Sequence, residues 1–419
     1  MRFQFKDTFF KIVGLNSISM LLKILMGLVS TKLVSVYLGV QGINTLEFFR
    51  NFTTASNAVA QGGIQNGIIK NFALSSNKQQ NQRILTTSMV LMWTITLIIA
   101  FFLFLFRSSI QNYLFQSDEF ENLILLYLLF LPFIAIQTVT LGYLQGKQFF
   151  KKVIFINCIG YLLNIGLAFL LIVNGGLKGA MLQIIVTPFF IAFLSVFVVR
   201  KYFKEYNLFT FKYFDKDIAK NFLDFSLMNV CSSLLTPVSF ILVRSFIVNH
   251  LDTTEAGIWS SVVRLSGFYM LFISSLCSLY FFPKLSKDLK PDGQKKVIVE
   301  YFVKFVPIVL VGLLFCFILQ KYIVLLVYND AFLAITNVFY LQLIADLIKT
   351  CSIIFGYYLI VHQKTKYFIL FEFISTGLYI GLSFIFISTY GLKGSYFALI
   401  ASLIVYLFIT AICFKKRNV

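Results

Sequence analysis

Long apolar runs joined by short polar connections constrain this chain more than any other feature. A helix needs about 20 mostly apolar residues to cross the core of a bilayer. The 419-residue chain is 59% hydrophobic and 13% charged, whereas soluble domains contain about 25% charged residues. The sequence therefore predicts an all-α, polytopic membrane protein. Twelve membrane helices are predicted, at residues 12–38, 43–71, 84–107, 121–145, 153–174, 178–200, 221–248, 256–283, 301–320, 332–361, 367–389 and 392–414.

Lysine and arginine are distributed unevenly among the connections. Of the 36 such residues, 26 lie at the two ends of the chain or after even-numbered predicted helices, and 4 lie after odd-numbered ones. Because basic residues accumulate in cytoplasmic loops, both termini are expected in the cytoplasm, with Lys415, Lys416 and Arg417 in the C-terminal tail. The net charge of +19 thus follows from topology and does not indicate nucleic-acid binding.

Short glycine motifs recur along the chain at one constant spacing, here called the repeat offset. The Gly-Leu-Lys-Gly sequence at 176–179 returns at 391–394, and the Gly-Ile pair at 42–43 returns at 257–258 with the same spacing. Chance similarity between apolar segments is the alternative. The shared offset favours a duplication of six helices, giving an N-terminal lobe (1–206) and a C-terminal lobe (207–419). Such parallel repeats are typical of transporters, and a cavity between the lobes is expected.

The second predicted helix carries a polar edge through most of its length. Side chains three or four residues apart share one face of a helix, and lipid cannot solvate such a face. The edge is therefore expected to face protein or a water-filled cavity. Its members are Glu47, Arg50, Thr54, Asn57, Gln61 and Gln65.

Charged residues inside the predicted helices are mostly basic. Arginine remains charged and binds phosphate through a planar fork of donors, so Arg50, Arg244 and Arg264 predict a site for an anion. Two alternatives to a binding or coupling role remain for the acids. Glu47 with Arg50, and Asp346 with Lys349, could form ion pairs that only join helices. Glu372 could lie at the cytoplasmic interface. The basic residues are Lys23, Lys32, Arg50, Arg244, Arg264 and Lys349, and the acids are Glu47, Asp346 and Glu372. No nucleotide-binding glycine loop and no cluster of metal ligands is visible in the sequence, so neither an enzyme nor a metal site is predicted.

Several longer motifs resemble one family over nearly the full length of the chain. The chain is similar to Wzx-type flippases of the multidrug/oligosaccharidyl-lipid/polysaccharide exporter superfamily, and most similar to lipid III (enterobacterial common antigen) and O-antigen flippases. The segments that carry the resemblance are 27–43, 48–52, 62–70, 255–262, 342–349 and 355–372, together with both Gly-Leu-Lys-Gly turns.

The resemblance implies a fold, a substrate and a location. The fold is MATE-like, with two six-helix lobes around a central cavity. The substrate is an undecaprenyl-diphosphate-linked oligosaccharide for polysaccharide or lipopolysaccharide biosynthesis. It moves from the cytoplasmic to the periplasmic leaflet of the bacterial inner membrane by alternating access through a cationic cavity. The implied partners are this lipid-linked glycan, the polysaccharide polymerase and the chain-length regulator.

Roles for individual residues follow from combining this resemblance with the charges. Cationic side chains would bind the diphosphate, the neutral polar edge would bind sugar hydroxyls, and a carboxylate would couple transport to protons or sodium, with no other cofactor. Arg50, Asp346, Lys349 and Glu372 match residues of similar sequences, whereas Arg264 departs from them. The predicted substrate-binding residues are Arg50, Arg244, Arg264, Lys23, Thr54, Asn57 and Gln61, and the predicted coupling or ion-pair residues are Glu47, Asp346, Lys349 and Glu372.

Three other classes of protein are weighed against this interpretation. A drug/cation antiporter of the same superfamily would carry an acid-rich cavity, but here the basic residues prevail. A lipid II flippase usually has fourteen helices, against twelve predicted. A membrane polysaccharide polymerase or ligase, which is an enzyme, needs a sizeable periplasmic loop, and the connections after odd-numbered helices are all short.

Overall fold

The computed structural model describes residues 2–75, 77–115, 120–206, 211–287, 291–362 and 364–415. Lys290, Lys416 and Arg417, assigned to the cytoplasmic side from the sequence, lie outside these residues, as does the start of the predicted C-terminal lobe at 207. Within the described ranges the regular structure is helical throughout. The α-helices are α1 (Arg2–Ala60), α2 (Gln65–Leu74), α3 (Lys78–Leu105), α4 (Arg107–Phe115), α5 (Glu121–Gly146), α6 (Phe150–Phe203), α7 (Lys216–His250), α8 (Thr253–Leu276), α9 (Phe282–Lys287), α10 (Pro291–Glu300), α11 (Val306–Ile318), α12 (Gln320–Val327), α13 (Phe339–Val361), α14 (Thr365–Tyr390) and α15 (Leu392–Lys415).

Ten helical stretches in the described part of the chain are long and apolar enough to cross a membrane. Two of them, Ile18–Ala60 and Phe150–Phe203, contain 43 and 54 residues, about twice what a bilayer needs at about 1.5 Å per residue. Each bends at a glycine with positive φ, Gly39 (63°) in α1 and Gly176 (53°) in α6. Division at these bends gives twelve apolar segments, the predicted number. The prediction of an all-α, polytopic membrane protein is confirmed.

The second predicted helix, 43–71, is not continuous, so that prediction was wrong in its middle. Helix α1 ends at Ala60 and α2 begins at Gln65. Between them Gly62 and Gly63 take φ values of 56° and 60°, a left-handed conformation that glycine adopts without steric cost. The helical part of the polar edge therefore ends with Asn57, Gln61 lies in the break, and Gln65 belongs to a new helix.

Two compact units make up the chain. The N-terminal unit comprises Met1–Tyr37 and Phe49–Leu234, and the C-terminal unit comprises Leu38–Phe48 and Leu235–Val419. A short segment of α1 thus belongs to the C-terminal unit. It lies close to α8 there, because a Cβ atom added at Gly257 would lie 2.4 Å from the carbonyl oxygen of Val40. Glycine is needed where two backbones approach so closely.

A buried apolar cluster forms the core of the N-terminal unit. It joins α2, α3, α5 and α6 and is closed by the start of α7 at Phe222. Burial of each large side chain in such a cluster contributes about 1.5–3 kcal/mol. The cluster includes Ile64, Ile68, Phe72, Ile84, Met92, Val139, Leu144, Ile156 and Phe222.

The helix boundaries reproduce the repeat offset found in the sequence. Helix α14 spans 365–390, and at the same offset α6 spans 150–175 before its bend at Gly176. Gly391, which follows α14, has a φ of 60°, as Gly176 has 53°. The break at 61–64 also has a counterpart, because α8 passes at Cys277–Phe281 into a wider π-helical turn. These coincidences support the duplication.

Candidate functional site

A cavity of about 450 Å³ lies within the C-terminal unit. Five helices line it: α7, α8, α13, α14 and α15. Three of the charged residues singled out in the sequence face it, namely Asp346 and Lys349 of α13 and Glu372 of α14. The structure thus brings these three together, although they come from two successive helices.

Asp346 is almost fully buried, with 3% of its surface exposed. One carboxylate oxygen accepts hydrogen bonds from Ser266 Oγ at 2.7 Å and Tyr269 Oη at 2.5 Å. The other accepts one from Gln342 Nε2, one helical turn away on α13, at 3.0 Å. A buried carboxylate requires such partners, since an uncompensated one is costly.

No direct ion pair joins Asp346 to Lys349 among the described residues, where neutral donors from α8 and α13 occupy both carboxylate oxygens. Lys349 nevertheless lies within electrostatic reach of Asp346, so pairing of the two charges stays a prediction. Lys349 is exposed and lies within electrostatic reach of Glu372, which also interacts with Tyr406 of α15. Glu372 therefore faces the cavity.

Three serine hydroxyls around the cavity are turned toward their own helices. Ser239 Oγ donates to the carbonyl of Thr236 at 2.8 Å, Ser352 Oγ to that of Lys349 at 2.7 Å, and Ser402 Oγ to that of Leu399 at 2.8 Å. Their oxygen lone pairs remain as acceptors. The Oε1 atom of Gln342 is buried and has no hydrogen-bond partner among the described residues.

A second polar cluster joins the start of the polar edge to α7 and α8. Glu47 forms an ion pair with Arg264 in which both side chains are largely buried. Arg244 Nε donates to Asn44 Oδ1 at 2.7 Å, and its guanidinium lies 3.8 Å from the centre of the Phe48 ring. All five residues belong to the C-terminal unit. Glu47 therefore pairs with Arg264 because residues 38–48 pack within this unit.

The other predicted substrate-binding residues belong to the N-terminal unit. The carbonyl of Arg50 accepts hydrogen bonds from Thr53 Oγ1 and Thr54 Oγ1 at 2.9 and 2.7 Å. Asn57 Oδ1 accepts one from Tyr127 Oη at 2.6 Å. Gln61 lies in the break after α1, and Lys23 is exposed on that helix.

Arg50 and Arg264 are not equivalent in the repeat. The repeat offset pairs Arg264 with Phe49, and neighbouring residues point about 100° apart around a helix. The anion site formed by Arg50, Arg244 and Arg264 together stays a prediction.

Sequence reasoning missed Ser266 and Tyr269 as partners of Asp346. Hydroxyl residues are scattered through the apolar helices, so nothing local distinguished these two. No group of three or more His, Cys, Asp or Glu residues that could hold a metal ion occurs in the part of the chain that the structure describes.

Comparison with solved structures identifies the fold. An inward-facing multidrug-resistance MATE transporter of the MOP superfamily superposes with a TM-score of 0.82 at 15% identity, covering 97% of this chain and 98% of the other. The lipid II flippase MurJ in an inward closed conformation gives a TM-score of 0.74 at 16% identity, covering 97% and 87%. The fold is that of MOP-superfamily transporters.

Comparison of sequences then identifies the family. Residues 9–288 match the model of the polysaccharide biosynthesis protein family, and the chain belongs to that family. The lipid III flippases of Escherichia coli K12 and Shigella flexneri are each 26% identical over 389 residues, which are 93% of this chain and 94% of each relative. The resemblance to flippases of this superfamily is confirmed.

Proposed function

We propose that this protein is a flippase for a lipid-linked oligosaccharide and not an enzyme. The observation that carries the proposal is the similarity to lipid III flippases, which extends over 93% of this chain and 94% of theirs. Similarity of that extent covers most of both chains. The family match over residues 9–288 supports the same role in polysaccharide biosynthesis.

The substrate in this proposal is an undecaprenyl-diphosphate-linked repeat unit of enterobacterial common antigen or an O-antigen. It passes from the cytoplasmic to the periplasmic leaflet of the inner membrane by alternating access through a cationic cavity. The excess of basic residues at both ends and after even-numbered helices supports cytoplasmic termini. The polysaccharide polymerase and the chain-length regulator receive the product.

Arg50 is the residue that we assign first to the diphosphate, with Lys23 of the same helix as a second cation. Arg244 and Arg264 already hold partners, Asn44 and Glu47, so a diphosphate would have to compete with these groups. Thr54, Asn57 and Gln61 are assigned to sugar hydroxyls. Coupling to protons or sodium is assigned to Asp346 or Glu47, since carboxylates within membrane helices usually serve ion pathways.

Complementation tests the proposal. The chain is expressed in bacterial strains that each lack one lipid-linked-glycan flippase, and the surface glycan is detected. We expect one glycan to return and to be lost again with Arg50→Ala. Arg83→Ala is the matched control, because Arg83 forms an exposed ion pair with Asp215, and such pairs contribute about 0–1 kcal/mol. Rescue of no strain, combined with resistance to cationic drugs, would assign the chain to the antiporters.

A further inference from the structure

We infer that the cavity within the C-terminal unit binds one sugar ring of the transported glycan. This inference rests on the proposed function and specifies where part of the substrate is recognised. It assigns sugar recognition to α13, α14 and α15, in addition to the polar edge of α1.

The size and walls of the cavity suit a single ring. Its volume of about 450 Å³ lies within the range of about 300–1,000 Å³ that is usual for ligand sites. Tyr357, Phe368, Tyr379 and Tyr406 contribute aromatic side chains to its lining. Aromatic rings offer flat apolar surfaces with polar tips, against which the C–H face of a sugar ring packs while its hydroxyls remain at the rim.

Several polar groups of the lining offer acceptors to a ligand. The hydroxyl protons of Ser239, Ser352 and Ser402 are directed to backbone carbonyls, so only their oxygen lone pairs are available to a ligand. Gln342 is 5% exposed, and its Oε1 atom has no hydrogen-bond donor among the described residues. Such a buried acceptor is costly unless a donor reaches it. An occupant with several donors, such as the hydroxyls of a sugar, suits these acceptors.

The charged side chains in the cavity also suit a sugar ring. Lys349 donates and Glu372 accepts, and the two lie within electrostatic reach of each other. Together they form a charged donor–acceptor pair that can hold adjacent hydroxyls of one ring.

Binding to the purified full-length protein in nanodiscs tests the inference. One probe is the lipid-linked glycan extracted from the strain that the chain rescues, and the other is undecaprenyl diphosphate without sugar. Ser375→Leu fills the cavity from α14, and Ser388→Leu makes the same change at an exposed position of that helix outside the cavity. We expect Ser375→Leu to weaken glycan-lipid binding at least about tenfold, the effect of one lost polar contact or an excluded ring. Binding of the sugar-free lipid, and both affinities of Ser388→Leu, should stay unchanged.

Several other results of this experiment would refute the inference, and each has a different meaning. Wild-type affinity of Ser375→Leu for the glycan-lipid would exclude a sugar in the cavity. If sodium raises the Tm of the wild type but not that of Ser375→Leu, while Ser375→Leu still binds the glycan-lipid, the cavity is a cation site. If Ser375→Leu does not fold, Gln342→Met removes the buried acceptor with similar side-chain length and carries the same expectation and the same refutation. Rescue of no strain refutes the proposed function and this inference together, whereas rescue without discrimination between the two probes refutes this inference alone.

Discussion

The N-terminal and C-terminal units share an order of helices and differ in what the fourth membrane helix of each repeat presents. In the C-terminal unit this helix is α13, which directs Gln342, Asp346 and Lys349 into a cavity. In the N-terminal unit it is α5, which at the positions related by the repeat offset has Tyr127, Leu131 and Ile134, all of them buried. The same backbone element thus supports a polar site in one unit and apolar packing in the other.

Backbone features, by contrast, are common to both units. A Cβ atom at Gly179 would lie 1.7 Å from the carbonyl oxygen of Leu171, and one at Gly394 would lie 2.0 Å from that of Phe386. The repeat offset relates the two glycines, and it relates the two carbonyls as well. The backbone is therefore similar at positions related by the repeat offset, while the side chains that face the interior differ.

The strongest test of this contrast places the acid of one unit in the other. Leu131→Asp puts a carboxylate at a position with 0% exposure, without the three donors that Asp346 has. An unpaired buried ion costs several kcal/mol, so we expect little monodisperse protein in size-exclusion chromatography. The control Leu131→Met should cost less than about 1.5 kcal/mol. A Leu131→Asp protein with the Tm of the wild type would mean that the interior of the N-terminal unit also accommodates a carboxylate.

A second test concerns the ion pair of Glu47 and Arg264. The repeat offset relates Arg264 to Phe49 in the N-terminal unit, so phenylalanine is the residue type to introduce. Arg264→Phe removes the arginine of this buried ion pair and should lower the unfolding free energy by about 3–5 kcal/mol. Adding Glu47→Val, the residue type found at the repeat position 262, removes the buried acid as well and should restore most of the loss. Thermal unfolding in detergent measures both, and an unchanged Tm for Arg264→Phe alone would contradict the pairing.

Substitution of the closely packed glycines Gly179 and Gly394 by alanine should lower the stability equally in both units. Gly179→Ala and Gly394→Ala force a methyl group against a backbone carbonyl and should each cost about 1–3 kcal/mol. Gly166→Ala and Gly381→Ala are matched controls, related by the same repeat offset, with no atom within 4 Å of the added Cβ. These controls should be neutral or slightly stabilising, since alanine favours helix over glycine by about 0.5–1 kcal/mol. Unequal losses of Tm at 179 and 394 would show that the two bends no longer have the same role.

The smallest loss of stability is expected from the side-chain contacts at the end of the fourth membrane helix of each unit. In the N-terminal unit Lys147 donates to the carbonyl and hydroxyl of Ser75 at 3.0 and 2.7 Å, and at the repeat position His362 contacts Gln294 at 2.9 Å. Burial lowers the pKa of Lys147, so the unfolded state binds more protons between this lowered pKa and the ordinary value of 10.5. Folding stability should therefore rise with pH in that interval.

The comparison of wild type with Lys147→Met isolates this contribution. The variant should lose about 1 kcal/mol from the missing hydrogen bonds, and its Tm deficit should grow as the pH is raised toward 10.5. A deficit that shrinks over this interval would mean that the folded state stabilises the charged amine.

The sequence was informative where a signal is local and repeated. Apolar runs of membrane length predicted the helices, and the Gly-Leu-Lys-Gly turns at 176–179 and 391–394 predicted the duplication that the helix boundaries reproduce. The spacing of Asp346 and Lys349 placed them on one face of α13, and in the structure both line the cavity.

The sequence was uninformative where a partner lies far away in the chain. Arg50 is the nearest basic residue to Glu47 in sequence, and nothing local indicated that Glu47 also pairs with Arg264, 217 positions away. The break at 61–64 was missed because apolar content continues through it, and adjacent glycines are also tolerated within membrane helices. Whether Arg50, Arg244 and Arg264 hold one ligand depends on geometry that no local pattern contains.

The assignment of Leu38–Phe48 to the C-terminal unit has a consequence during synthesis. This segment leaves the ribosome early, yet Arg244, the donor to Asn44, follows 200 residues later. At about 5–20 residues per second, the segment waits on the order of 10–40 s for its partners. During that interval Glu47 enters the membrane without Arg264, so the insertion machinery, a lipid headgroup or water must accommodate its charge. The first half of the protein therefore remains unfinished until the second half has emerged.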